Sequence, residues 1–371
     1  MIMVRKGTIQ LPLHPGHAPH WLVKRMGKLS YAISKLLIEE HGQHEFLRRM
    51  SDPLWFQAFG CVLGFDWHSS GLTTVVTGVL KQSLKPDVHG VMLAGGKSSK
   101  GVNTKYDIAN ICETFSISEN KLNELLYASK ISAKIDNAAI QDGYTLYHHA
   151  FILTEDGSWA VVQQGMNPDN RMARRYHWLA DSIESFVNEP HSGIISERAS
   201  EQTLDMTSRI SEESRKTCVD IVNSNPSNVI SSIQRLPIKD SLDQWVGNKP
   251  GVETYAMPWH LDWDLFRRIY DIRPRNYEEL IAIKGVGPTA VRALALVAEL
   301  VYNTRPSWKD PVKFSFAHGG KDGVPHPVDR RVYDKTIKIL MEAIEGAEIE
   351  REVRTKSLRR LALYAKTLYP D

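Results

Sequence analysis

The sequence predicts a mixed α+β N-terminal domain, with helices around a sheet that contains a β-hairpin, followed by an all-α C-terminal domain. Three observations lead there. Over most of the chain apolar residues recur at three- and four-residue spacing, the mark of amphipathic helices. One stretch, YTLYHHAFILTEDGSWAVVQQGM, breaks that rhythm: two runs of aromatic and β-branched residues are joined by Glu155-Asp156-Gly157-Ser158, and Asp-Gly between such runs signals a hairpin. Between about Asn188 and Ser211 the apolar density falls, which places a boundary between residues 1–195 and 196–371.

In chain order, Leu22, Met26, Leu29, Ile33 and Leu36 predict a helix from Trp21 to about Glu40. A second apolar block, from Leu54 to about Leu84, is interrupted by FDWHSSG, which predicts a turn between two helices. GGKSSKGVNTK, from Gly95 to Lys105, reads as a flexible basic loop, and helix follows to about Ala139. After the hairpin, NPDNRMARRYHWLADSIESF turns and re-enters helix, bringing Arg171, Arg174 and Arg175 close together. Beyond the boundary the pattern is helix after helix: 213–223, 226–234, 262–270, 277–283, 288–303, 329–345 and 351–368.

Composition narrows the class. The chain has 371 residues, 42% hydrophobic and 24% charged, enough apolar material for a sizeable core. Lys and Arg total 46 against 43 for Asp and Glu, so only local clustering of charge can indicate a partner. Cys61, Cys112 and Cys218 lie far apart, with no CxxC pair, which excludes a zinc framework of that kind and suits a reducing compartment. The opening residues lack a signal-peptide pattern, and no apolar run is long enough to cross a bilayer, so the expectation is a cytoplasmic protein.

The most specific local signal is YEELIAIKGVGPTAVRALALVAELVY. A short helix ends at Ile283, Gly285-Val286-Gly287 makes a tight turn, and Pro288 opens a longer helix, where a missing N–H costs nothing. Glycines admit φ > 0 and close backbone approach, while Val286 can point inward. The free N–H groups at the new helix start, with the positive end of the helix dipole behind them, suit a phosphate. The segment resembles the helix-hairpin-helix motif of repair glycosylases, ligases and nucleases, a sequence-independent contact to nucleic-acid backbone. That resemblance implies DNA contacts at Lys284, Gly285, Val286, Gly287 and Thr289. It departs from the motif at Val291, where a small residue is usual, and the plain alternative is an αα-hairpin whose glycines only permit the turn.

Some glycosylases with this motif carry a Val-Asp pair at the start of a following helix, and Val328-Asp329 resembles it. Asp329 would stabilise the cationic sugar or activate water, although the spacing from Gly285 is about twice the usual one, and Asp329 also reads as an ordinary N-cap. Thr289 stands where lyase members have their Schiff-base lysine, which argues against a lyase step. Arg330 and Arg331 would add backbone contacts. In the N-terminal half, metal-dependent phosphodiester cleavage needs carboxylates or imidazoles around a cation and a base for water. Asp66, His68 and His149 are the candidates, around Mg²⁺ or Mn²⁺, each weighed against a hydrogen-bonded core role. Strand alternation lets only one of His148 and His149 join a given site, and sends Gln163 and Gln164 to opposite faces. Arg171, Arg174 and Arg175 read either as a backbone-binding patch or as a solvated helix face.

Taken together, GTIQLPLHPGHAPHWLVKRM, FQAFGCVLGFDWHSSGLTT, AVVQQGMN with ARRYHW, and GVGPTAVRALALVAELVY with GGKDGVPHPVDRRVYD resemble the largely archaeal family called domain of unknown function 763, over nearly the whole chain. The resemblance implies a cytoplasmic prokaryotic protein with a helix-hairpin-helix and leaves the reaction to the residues. Three functions follow as expectations: a metal-dependent DNA nuclease, a monofunctional glycosylase built on Asp329, and a non-catalytic DNA-binding scaffold.

Overall fold

The structure, a computed structural model, describes residues 18–65, 69–97, 102–196, 199–200, 203–225, 227, 231, 261–312, 314–315 and 330–368. Among them a six-stranded sheet is covered by helices on both faces.

The first layer is α1 (His20–Met50), α2 (Pro53–Leu63) and α3 (Gly71–Ser83). Gly42, at φ 84° and ψ 167°, interrupts α1. Asp52 starts α2 by accepting the N–H groups of Leu54 (2.8 Å) and Trp55 (3.2 Å), and Gly64 ends it in the left-handed region at φ 104°. Every residue of α2 is buried, as an all-round apolar helix must be. After the single turn α4 (Pro86–His89) comes β1 (Val91–Lys97), then α5 (Val102–Thr114) and α6 (Glu119–Lys134), the latter running into a π-helical turn, Ile135–Ala139.

The sheet continues with the predicted hairpin, β3 (Thr145–Thr154) and β4 (Trp159–Asn167), with Gly157 at φ 83° in its turn. β5 (Met172–Leu179) and β6 (Gly193–Ser196) follow, all antiparallel in the order β1-β3-β4-β5-β6, and β8 (Phe314–Ser315) adds to β6 in parallel. A separate two-stranded ladder pairs β2 (Ile140–Gln141) with β7 (Leu204–Asp205). The later helices are α7 (Glu212–Asn223), α8 (Trp263–Ile272), α9 (Tyr277–Ala282), α10 (Pro288–Tyr302), α11 (Arg330–Gly346) and α12 (Arg351–Leu368).

Alternation along the strands feeds two cores. Val91, Leu93, Ala150, Ile152, Ala160 and Val162 face α1–α3, whose far side is covered by α11 and α12. Ala94, Phe151, Leu153, Trp159, Val161 and Trp178 face α5, α6, α7 and α8–α10.

Three expectations are corrected. Gly95-Gly96-Lys97 is the end of β1 rather than loop, because the edge of β3 is available for pairing. Residues 172–179 are strand, where the arginines and aromatics of MARRYHWL alternate across the sheet and bury both faces. The segment after residue 196 is not all-helical among the described residues, since it supplies β7 and β8. The second core runs unbroken across the expected boundary at 195/196, joining Phe151 and Trp178 to Val219, Leu265 and Leu294.

Candidate nucleic-acid interface and a buried acid–histidine network

The turn between α9 and α10 is built from both sides. Asn276 caps α9 by accepting the Glu279 N–H at 2.8 Å, and Pro288 opens α10. Between them Val286 is buried among Leu265, Leu280 and Leu294, and its N–H donates to the Ile283 carbonyl at 3.2 Å. Gly285 sits at φ 101°, so the backbone angle favours glycine, and a Cβ there would lie a tight 3.0 Å from Leu265 Cδ1. Lys284, Gly285 and Thr289 are exposed, and the N–H groups of Gly285 and Gly287 make no hydrogen bond among the described residues. Val291 packs inward, 2% exposed.

Two lysines of α6 brace this turn. Lys130 Nζ donates to the Ala282 carbonyl at 3.1 Å and Lys134 Nζ to that of Ile283. Both are carbonyls at the end of α9, where cations are favoured. Burial, with Lys130 one helical turn away, lowers the Lys134 ammonium to a pKa of about 8. Gln141 adds a bond to the Pro288 carbonyl at 2.8 Å.

Under the sheet face that meets α6 lies a chain of polar side chains. Asp136, fully buried in the π-helical turn, accepts from Gln163 Nε2 (2.7 Å), Trp178 Nε1 (3.0 Å) and His191 Nε2 (2.5 Å). Gln163 Oε1 therefore points to His149 Nδ1 at 2.9 Å, which fixes the proton there, and Ser129 Oγ donates to Nε2 at 2.9 Å. Burial lowers the His149 pKa and keeps the ring neutral. π-helical turns gather at functional sites, and this one aims a carboxylate into the core.

His191 lines a cavity of about 240 Å³ with Asp205, Asp310, Ile194, Ile210 and Glu189. Glu189 is held at φ 46°, a strained angle for a side-chain residue. Burial raises the Asp205 carboxyl, although the Thr207 hydroxyl at 2.6 Å and N–H at 2.9 Å oppose the shift. An imidazole fixed by a carboxylate, with a second carboxyl of raised pKa beside it, can take up and deliver protons.

The sequence-predicted residues are placed as follows. Asp66, His68 and Asp329, and the side chains of Arg330 and Arg331, lie outside the described residues. His149 faces α6, whereas His148 is the histidine on the α3 face, with its Nε2 2.9 Å from Thr77 Oγ1. Ser70, just beyond the Asp66–His68 segment, gives its carbonyl to Gln164 on that α3 face, so His149 stands on the opposite side of the sheet from it. Gln163 and Gln164 divide between the faces as alternation requires. No group of three or more His, Cys, Asp or Glu is placed to hold a metal ion among the described residues.

Arg174 and Arg175 are fully buried, which corrects their reading as a surface patch or solvated helix face. Arg174 reaches Asp142 (2.8 Å) and forks onto Asp310 (3.0 and 2.7 Å), and although burial opposes its charge, these two carboxylates hold it. Arg175 bonds Gln57 Oε1 twice at 3.1 Å and His177 Nε2 at 2.8 Å. Burial, then the Arg175 charge, drives the His177 pKa well below its ordinary value, leaving Nδ1–H to donate to the Met50 carbonyl at 3.0 Å. Sequence reasoning missed Asp136, Asp142, His191 and Asp310. For Asp136 the available signal was IDNAAI, a carboxylate close to Ile135, Ala138, Ala139 and Ile140.

No curated protein and no solved structure matches the chain. No helix among the described residues is long and apolar enough to cross a membrane. A family model does match, over residues 7–328, and that span covers both the turn and the acid–histidine network: the chain belongs to the family described as protein of unknown function DUF763.

Proposed function

We propose that this protein binds the sugar-phosphate backbone of DNA through residues 283–289, read as a helix-hairpin-helix. The observation that carries the proposal is the outward turn: two N–H groups without an acceptor among the described residues, an exposed Lys284, and Val286 buried as the anchor. Such a surface positions a strand without reading its bases. Fluorescence anisotropy with a labelled duplex across a salt series tests it. The logarithm of the binding constant should fall linearly with the logarithm of salt. Lys284→Glu should weaken binding about tenfold or more and lower the slope by about one. Unchanged affinity in that variant would remove the turn from the interface.

A second reading, that the protein also acts on the strand, is favoured by the His191–Asp136 pair at the wall of a cavity. In it His191 moves the proton and Asp136 positions the ring. A panel of single-stranded, duplex, flap and damaged DNAs, with and without Mg²⁺ or Mn²⁺ and hot alkali, separates the chemistries. Direct metal-dependent cuts mean a nuclease, and breaks only after alkali mean base excision. His191→Gln should abolish turnover and leave DNA affinity intact. Binding with no breaks under any condition leaves a binding protein without this activity.

A further inference from the structure

A cavity of about 490 Å³ opens beside α6, lined by Lys121, Asn123, Tyr127, Ala128, Trp159 and Phe186. Its walls are rings with fixed positions. Phe186 lies parallel to Trp159, centroids 6.3 Å apart and planes 1° from parallel, and Trp159 stacks in turn on Phe151 at 5.3 Å. Tyr127 stands edge-on to Phe186, 6.0 Å away at 85°, and its hydroxyl donates to Glu278 Oε1 of α9 at 2.8 Å. Tyr127 is more than a third exposed, and Phe186 is half-buried.

We propose that this cavity takes one unstacked base of a single DNA strand whose phosphates are held at residues 283–289. The inference rests on the backbone-binding reading above and names the substrate class of that interface. Continuity along α6 supports it. Tyr127, Lys130 and Lys134 lie at i, i+3 and i+7, on one face of the helix. The two lysines end at the carbonyls that begin the turn, and Tyr127 bonds the same short helix α9. Lys134 to Tyr127 spans about 10 Å along the helix axis, within the reach of a few nucleotides.

A turn that contacts only phosphate gains nothing from base identity, and an aromatic wall gains equally little, because every base has a π face. In a duplex the bases are already stacked and enclosed, so the occupant that can present one is a single strand. Asn123 and Lys121, both in the lining, offer donors to a base edge, and Lys121 also pairs with Glu124 at 3.3 Å.

The test compares two labelled oligomers of equal length, (dT)12 and a 12-mer of abasic deoxyribose phosphate, which share the phosphates and differ in the bases. The wild-type protein should bind (dT)12 about tenfold tighter. Tyr127→Leu and Phe186→Leu should erase that difference and leave the abasic oligomer's affinity unchanged. Tyr127→Phe, which keeps the ring and loses the bond to Glu278, should retain the preference, which a merely structural role for the hydroxyl would not allow. Lys284→Glu should weaken both oligomers equally. Equal wild-type affinity for the two oligomers overturns the base pocket and leaves the turn standing. A retained preference in both leucine variants also overturns it. Binding insensitive to Lys284→Glu overturns the turn, and the pocket's place beside it falls as well.

Discussion

At the scale of single residues, Lys134 links charge to pH. Its folded pKa near 8 lies below the ordinary lysine value because the ammonium is partly buried beside Lys130. Between that pH and about 10.5 the unfolded chain binds more protons, so this group makes the fold more stable as pH rises through the window. For the proposed DNA contact the sign is opposite. As pH rises from 7 to 9 the charge beside the turn is lost, and affinity should decline; Lys134→Gln should flatten that decline in anisotropy titrations run at constant salt. Gly95 makes a different point. At φ 84°, with a Cβ destined to lie 2.3 Å from the His149 carbonyl oxygen, Gly95→Ala should cost more than about 2 kcal/mol, read as a lowered denaturation midpoint. An unaltered midpoint would mean that β1 does not end as described. The glycines of the 283–289 turn were legible in the sequence because their spacing and Pro288 carry the reason with them. Gly95 was not, because Gly-Gly-Lys reads as a loop until a partner strand supplies the hydrogen bonds.

At the scale of elements, the hairpin β3–β4 and nearly every helix were legible, since the Asp-Gly turn and the 3.6-residue rhythm are local. β5 was not. MARRYHWL has alternating residues on two buried faces, and polar side chains on both faces hide the strand period that one wet face would show. The candidate site was lost for the same reason: Asp136 belongs to a helix by rhythm, and only the π-helical turn swings it toward three donors from β4, β5 and the 191 loop. Replacing it tests the network. Asp136→Asn should cost about 1–3 kcal/mol, because an amide cannot accept from all three, and Asp136→Ala should cost more, leaving buried donors unpaired. Urea unfolding with unchanged slope measures both, and equal stability of wild type and alanine variant would show that the bonds carry no weight.

At the scale of the whole molecule, the sheet is the shared wall of two cores, and each draws on residues from both sides of the boundary that composition suggested. The described residues that flank the dip in apolar density, Gly193–Ser196 and Thr203–Thr207, are buried, and composition has no means to show that packing. Calorimetry should therefore give a single cooperative transition, and a chain cut to residues 1–195 should fail to reach the native near-ultraviolet dichroism, since the core that holds Phe151, Trp159 and Trp178 would lose α7–α10. Two separate transitions would restore the two-domain division.

The parallel pairing of β6 with β8 has a consequence for the nascent chain. β6 leaves the ribosome long before Phe314, so its outer edge waits while the stretch from β7 to α10 is synthesised, on the order of ten seconds at about 5–20 residues per second. An open strand edge invites pairing with another chain. Crowded polysomes would bring such edges together, so slow translation between codons 200 and 314 should raise the insoluble fraction, and chaperone supply during synthesis should lower it.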